Sequence, residues 1–69
     1  MRDQLSPREK QCLGWAACGK SSWDIGKIVS ITENTVNFHI KNAMKKLRTN
    51  SRTVAAIKAV RLGLIEPPS

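Results

Sequence analysis

Sixty-nine residues leave room for one small domain, near the lower limit for a chain that folds without disulfides or metal. No apolar run reaches the roughly 18 residues of a membrane span, and residues 1 to 12 are too polar and charged for a secretory signal. A net charge of +7 on so few residues favours an acidic partner.

The first helix is announced by Ser6-Pro7-Arg8-Glu9: Ser6 caps, Pro7 needs no N–H in the first turn, and Glu9 completes a capping box. Its apolar set is Cys12, Leu13, Ala16 and Ala17, with Trp15 at the edge, and Gly19 suits the left-handed residue that ends it. Cys12 and Cys18 would point about 240° apart on this helix, too divergent for a bridge. They read as reduced thiols acting as small apolar residues, which fits a reducing cytoplasm. No Cys/His spacing resembles a zinc site, so no metal and no cofactor are expected.

The second helix opens at Ser21-Ser22-Trp23-Asp24, buries Ile25, Ile28 and Val29, and stops near Ser30. Only Ser30 and Ile31 then precede Thr32, which caps the third helix, and so short a link forces a helix-turn-helix corner. The third helix runs to about Leu47 with Val36, Ile40, Ala43 and Leu47 as its buried stripe. A turn over residues 48–51 leads to the fourth helix, about Arg52 to Leu62, with Ala55, Ala56, Ala59 and Leu62 facing the core. Gly63 ends it, and Leu64 and Ile65 return to the core. The lead-in is residues 1–5, the domain 6–65 and the tail 66–69.

At ~100° per residue, Phe38 falls about 200° from Val36, on the polar face of the third helix. Asn37 and Lys41 surround it, with Asn34, His39 and Lys45 flanking. A lone projecting ring among amides and cations has little value to a core. In a major groove it can touch a thymine methyl while its neighbours bond base edges and phosphates. Asn37 offers a donor and an acceptor to the adenine N6/N7 edge, and Lys41 donors to guanine O6/N7; reaching only phosphate is the alternative for both. Between Glu33 and Glu66 there is no acid, yet seven cations occur: Lys41, Lys45, Lys46, Arg48, Arg52, Lys58 and Arg61. With the capped helix starts, that charge predicts a log-log salt slope of about −4 to −7 per bound monomer, for roughly five to eight phosphates neutralised.

The string Leu5-Ser6-Pro7-Arg8-Glu9, then Gly19-Lys20, Asp24-Ile25-Gly26, Thr35-Val36, His39, Asn42, Lys46-Leu47 and Gly63-Leu64-Ile65 resembles the LuxR-type (LuxR/FixJ/GerE) helix-turn-helix family, gaplessly over residues 5 to 65. The resemblance implies an all-α, four-helix domain with its third helix in the major groove of double-stranded DNA and its fourth at a two-fold dimer contact. It puts base reading on Asn37, Phe38 and Lys41, and phosphate holding on Lys20, Ser21, Ser22, Trp23, Thr35, His39 and Lys45. Val54, Ile57, Lys58 and Arg61 form a second stripe on the fourth helix, which the resemblance makes a homodimer face. Thr35-Val36-Asn37-Phe38-His39 looks like the acyl-homoserine-lactone (quorum-sensing) branch, with a response-regulator output domain or a stand-alone short regulator as alternatives. The family usually carries a sensing domain ahead of this one, and a small-molecule signal would act only through such a domain. Gly26 stands where the family usually has Ala, at a cost of up to about 1 kcal/mol in helix propensity but permitting close packing. A protein-interaction module, with Phe38, Val54 and Ile57 anchoring to an RNA polymerase subunit, is the more distant reading. Enzyme activity has no supporting constellation, because His39 has neither a second ligand nor a nucleophile beside it.

Overall fold

Every helix begins where the sequence puts a hydroxyl. Ser6, Ser21, Thr32 and Ser51 each lie in extended backbone and accept the N–H three residues on, from Glu9, Asp24, Thr35 and Val54. Each such cap is worth about 1 kcal/mol. In the computed structural model, which describes residues 5–67, they open α1 (Pro7–Ala17), α2 (Ser22–Val29), α3 (Glu33–Lys46) and α4 (Arg52–Arg61). No strand occurs among the described residues. Residues 1–4 of the expected lead-in and 68–69 of the expected tail lie outside them. Leu5, just ahead of the first cap, is buried.

The helix ends turn on left-handed residues: Gly19 after α1, Ser30 after α2, Arg48 after α3 and Gly63 after α4. The second of these sets the corner between α2 and α3. There the Ser30 and Ile31 N–H groups both donate to the Gly26 carbonyl. A Cβ on Gly26 would lie 2.6 Å from the Ile31 carbonyl oxygen. The close approach expected of Gly26 is therefore one of backbone to backbone, and it fixes how α3 leaves α2.

Two apolar clusters hold the helices. Leu5, Leu13, Ala43, Leu47, Ala55, Ala56 and Ala59 join α1, α3 and α4. Cys12, Ile25, Val29, Val36 and Ile40 join α1, α2 and α3, and Met44 packs against both groups. The expected stripe on α3 is buried in full. Three expectations are corrected. Ile28 is 45% exposed, because Ile25 and Val29 already face the core and Ile28 sits roughly 80° off their midline. Leu62 is 65% exposed: Gly63 turns the chain there, and Leu64 and Ile65 pack in its place. Cys18 is exposed at the end of α1, so only Cys12 acts as a small core residue; both thiols are free.

Glu9 is the one buried acid among the described residues. Its carboxylate takes the Ser6 N–H at 2.9 Å and the Lys46 ammonium at 2.9 Å, tying α1 to the end of α3. Burial pushes this carboxyl up, but the Ser6 N–H and the Lys46 ammonium together outweigh it, leaving it below the ordinary glutamate value. A depressed folded-state pKa gives stability that is complete above the unfolded value, roughly 4.3, and is lost as pH falls through the folded one. Thermal unfolding across acid pH is expected to show this limb in the native chain and a shallower one in Glu9→Gln. Identical limbs would remove Glu9 as the cause.

Candidate nucleic-acid interface

The corner at Gly26 and Ser30 sets α3 beside α2, so the polar face of α3 and the start of α2 share one side of the fold. Phe38 is 60% exposed on that face, where no core contact explains it. Its ring meets His39 edge-on at 5.5 Å, which limits how the projecting ring can turn. Asn37 and Lys41 are exposed beside it, and Lys45 follows one turn later. Neither Lys41 nor Lys45 makes a hydrogen bond or ion pair among the described residues.

At the start of α2, Ser21 uses its hydroxyl within the cap, accepting from the Asp24 N–H and donating to the Asp24 carboxylate at 3.1 Å. Thr35 likewise shares a 2.8 Å hydroxyl contact with Thr32. Ser21 therefore offers a phosphate chiefly backbone N–H at a positive helix end, whereas the Thr35 N–H is already taken by the Thr32 hydroxyl. Ser22, expected to hold phosphate, is placed differently from Ser21. It is the first helical residue, buried, with its side chain turned inward, so only its backbone faces that helix end. Trp23 is 56% exposed and carries the Lys27 ammonium 4.2 Å from its ring centroid, so it does not cover the core. Lys20 is exposed just ahead of the cap.

The acid-free cation run divides into two populations. Lys46 pairs with Glu9, Lys58 donates to the Leu47 carbonyl at 3.0 Å, and Arg52 donates to Ser22 at 2.9 Å. Those three brace the fold, and the Lys58 ammonium is tied back to the end of α3. Lys41, Lys45, Arg48 and Arg61 are the exposed remainder. On α4, Val54 and Ile57 are 40% and 50% exposed.

Arg52 is the residue that sequence reasoning missed. As the first residue of α4 it reaches across to α2, and the Ser22 hydroxyl that accepts from it donates in turn to the Asn37 carbonyl on α3. Three helices thus meet at one hydroxyl, behind a side chain expected to read bases. Nothing in the sequence separates Arg52 from the other cations of the run.

The helix order, the capped corner and the exposed face on α3 agree with the model of the bacterial regulatory proteins of the luxR family, which matches residues 3–59. The chain belongs to the LuxR family. Among its LuxR-family relatives, the Sinorhizobium fredii protein y4qH, a helix-turn-helix transcriptional regulator by name, is 73% identical over 62 residues, covering 90% of this chain and 19% of that one. The quorum-sensing regulator RhlR of Pseudomonas aeruginosa is 54% identical over 61 residues, 88% of this chain and 25% of that one. The solved structure of the transcription factor GerE superposes with a TM-score of 0.83 at 32% identity, covering 90% of this chain and 92% of that one. The expected four-helix LuxR-type fold is therefore found. It is a DNA-binding domain of the transcription-regulator class, homologous to quorum-sensing regulators, and it spans about a quarter or less of those curated relatives. No helix among the described residues is long and apolar enough to cross a membrane.

Proposed function

We propose that this domain is the DNA-reading end of a cytoplasmic quorum-sensing transcription regulator, which binds an inverted-repeat promoter site as a dimer. The observation that carries this is the exposed Asn37–Phe38–Lys41 face of α3, apolar at its centre, donor-rich at its edge and braced from behind. Lys20, Ser21, Ser22, Trp23, Thr35, His39 and Lys45 set the register on phosphates, with Ser21 and Ser22 acting through backbone N–H, while the three face residues read bases. Likeness to RhlR favours the quorum-sensing branch over a response-regulator output domain. A small-molecule signal would reach DNA affinity through a sensing domain of the longer regulator.

Val54 and Ile57, with Arg61 beside them, supply the dimer contact. Two aliphatic side chains make a small interface, below the ~1,000 Å² expected of a stable one. The domain is thus a monomer alone and pairs on DNA, where adjacent half-sites raise the effective concentration of the second copy.

A titration of duplexes with one and two half-sites across a salt series tests both parts. With Lys46, Arg52 and Lys58 engaged inside the fold, four or five phosphates are neutralised per chain, and the expected log-log slope is about −3.5 to −4.5. That range straddles the shallow end of the one expected from the sequence. A slope near zero would refute electrostatic DNA binding, and independent filling of the two half-sites would refute pairing.

A further inference from the structure

Among the proposed base readers, Asn37 is the one whose side chain is already hydrogen-bonded within the protein. An amide has two chemically opposite ends, a carbonyl that accepts and an NH2 that donates. In the major groove adenine needs both, since N6 donates and N7 accepts, whereas guanine presents two acceptors, O6 and N7. Which end of Asn37 faces the groove therefore decides which purine it favours.

The Ser22 hydroxyl alone would leave that open, because an oxygen can accept an amide N–H as readily as it donates to a carbonyl. Arg52 closes the choice. A guanidinium can only donate, so its 2.9 Å contact makes Ser22 the acceptor at that bond. The hydroxyl proton then needs an acceptor of its own, and the Asn37 carbonyl is where it goes. Turning the amide over would leave that proton buried and unpaired, a penalty of about tenfold or more in the turned population. Ser22 is only 7% exposed, so water does not readily relieve it. The guanidinium has no alternative hold either: its Nη2 is buried without a partner among the described residues, and Ser22 is the acceptor it has.

We infer that Arg52 and Ser22 are specificity-determining residues: through a one-way hydrogen-bond relay they turn the Asn37 carbonyl inward, so that its amide N–H groups face the groove and select guanine over adenine. The inference rests on the DNA-reading role proposed above. Arg52 and the Ser22 hydroxyl act on the base through Asn37 and are positioning groups; the only contact proposed for Ser22 with DNA is through its backbone N–H.

The test begins with selection by the native chain from a randomised duplex library. The base pair read by Asn37 is identified as the one whose preference disappears in Asn37→Ala. Equilibrium binding is then measured on duplexes differing at that pair alone. The native chain is expected to favour guanine over adenine there by about tenfold. Ser22→Ala frees the amide and brings that ratio towards unity, while Ser22→Thr, which keeps the hydroxyl, retains it. A purely structural role for Ser22 would weaken both duplexes alike and leave the ratio intact, which overturns the relay. So does a native preference for adenine, or an Asn37→Ala variant that changes no preference. Should Ser22→Ala fail the accompanying thermal melt, Asn37→Asp decides the same question from an exposed position. Its carboxylate still accepts the Ser22 proton but cannot donate, so guanine preference is lost and cytosine gains; retained guanine preference overturns the relay. Absence of sequence preference in the native chain across the library would instead overturn the DNA-reading role itself.

Discussion

Leu13→Ala is expected to cost about 2–5 kcal/mol and to leave much of the domain unfolded. Leu13 is fully buried on α1, and its cluster includes Ala43, Ala55, Ala56 and Ala59 from α3 and α4. The alanine methyl groups have little reach, so the space that the lost isobutyl group leaves can be closed only in part, by shifts of Leu5, Leu47 or Met44. In a domain this small the whole reserve is roughly 5 kcal/mol, and one such cavity consumes most of it. Urea unfolding followed by helical circular dichroism gives the difference, and a loss below about 1 kcal/mol would show that the alanine-lined core can close. Leu62→Ala is the contrasting case. Spacing on α4 put Leu62 with the same alanines, yet it is 65% exposed, and its removal is expected to stay within about 0.5 kcal/mol.

That contrast marks what the sequence made legible. The caps of α1, α2 and α3 were readable because each depends on residues three apart; Ser51, which caps α4, was read only as part of a turn. The stripe on α3 was readable because fourteen helical residues show several turns of one period. Eight residues of α2 show barely two, so Ile28 joined a stripe it does not belong to. Leu62 was misplaced because Gly63 ends the period that spacing extrapolates.

The candidate interface divides in the same way. The exposed face of α3 followed from angle alone. The inward use of three cations did not, because Lys46 meets Glu9 37 residues away, Arg52 meets Ser22 30 residues away and Lys58 meets Leu47 11 residues away. No local pattern records such pairings, and only the helix packing brings them about. Gly26 lies between the two cases. Its need for close approach was legible, but the Ile31 carbonyl as the atom approached belongs to the corner and not to either helix alone.

The division of the cations leads to the last expected result. Lys41→Ala should cost about 1–3 kcal/mol on the preferred duplex and far less on a scrambled one. Lys45→Ala should weaken both by similar amounts. Lys41 follows Asn37 by four residues and Phe38 by three, so all three lie on one patch of α3. It is exposed and makes no hydrogen bond or ion pair among the described residues, leaving its ammonium available to a guanine edge. Lys45 sits in the last turn of α3 beside Lys46, beyond that patch. From there a flexible four-carbon stem meets backbone phosphate, which is alike in every sequence. Reading Lys41 as one more phosphate contact makes the opposite forecast, that both substitutions lower affinity for matched and scrambled duplexes by the same factor. Parallel titrations at one fixed salt concentration separate the two, since a phosphate contact shifts the salt slope by about one while a base contact shifts the ratio between duplexes. Equal losses for Lys41→Ala on both duplexes would move Lys41 off the base-reading face.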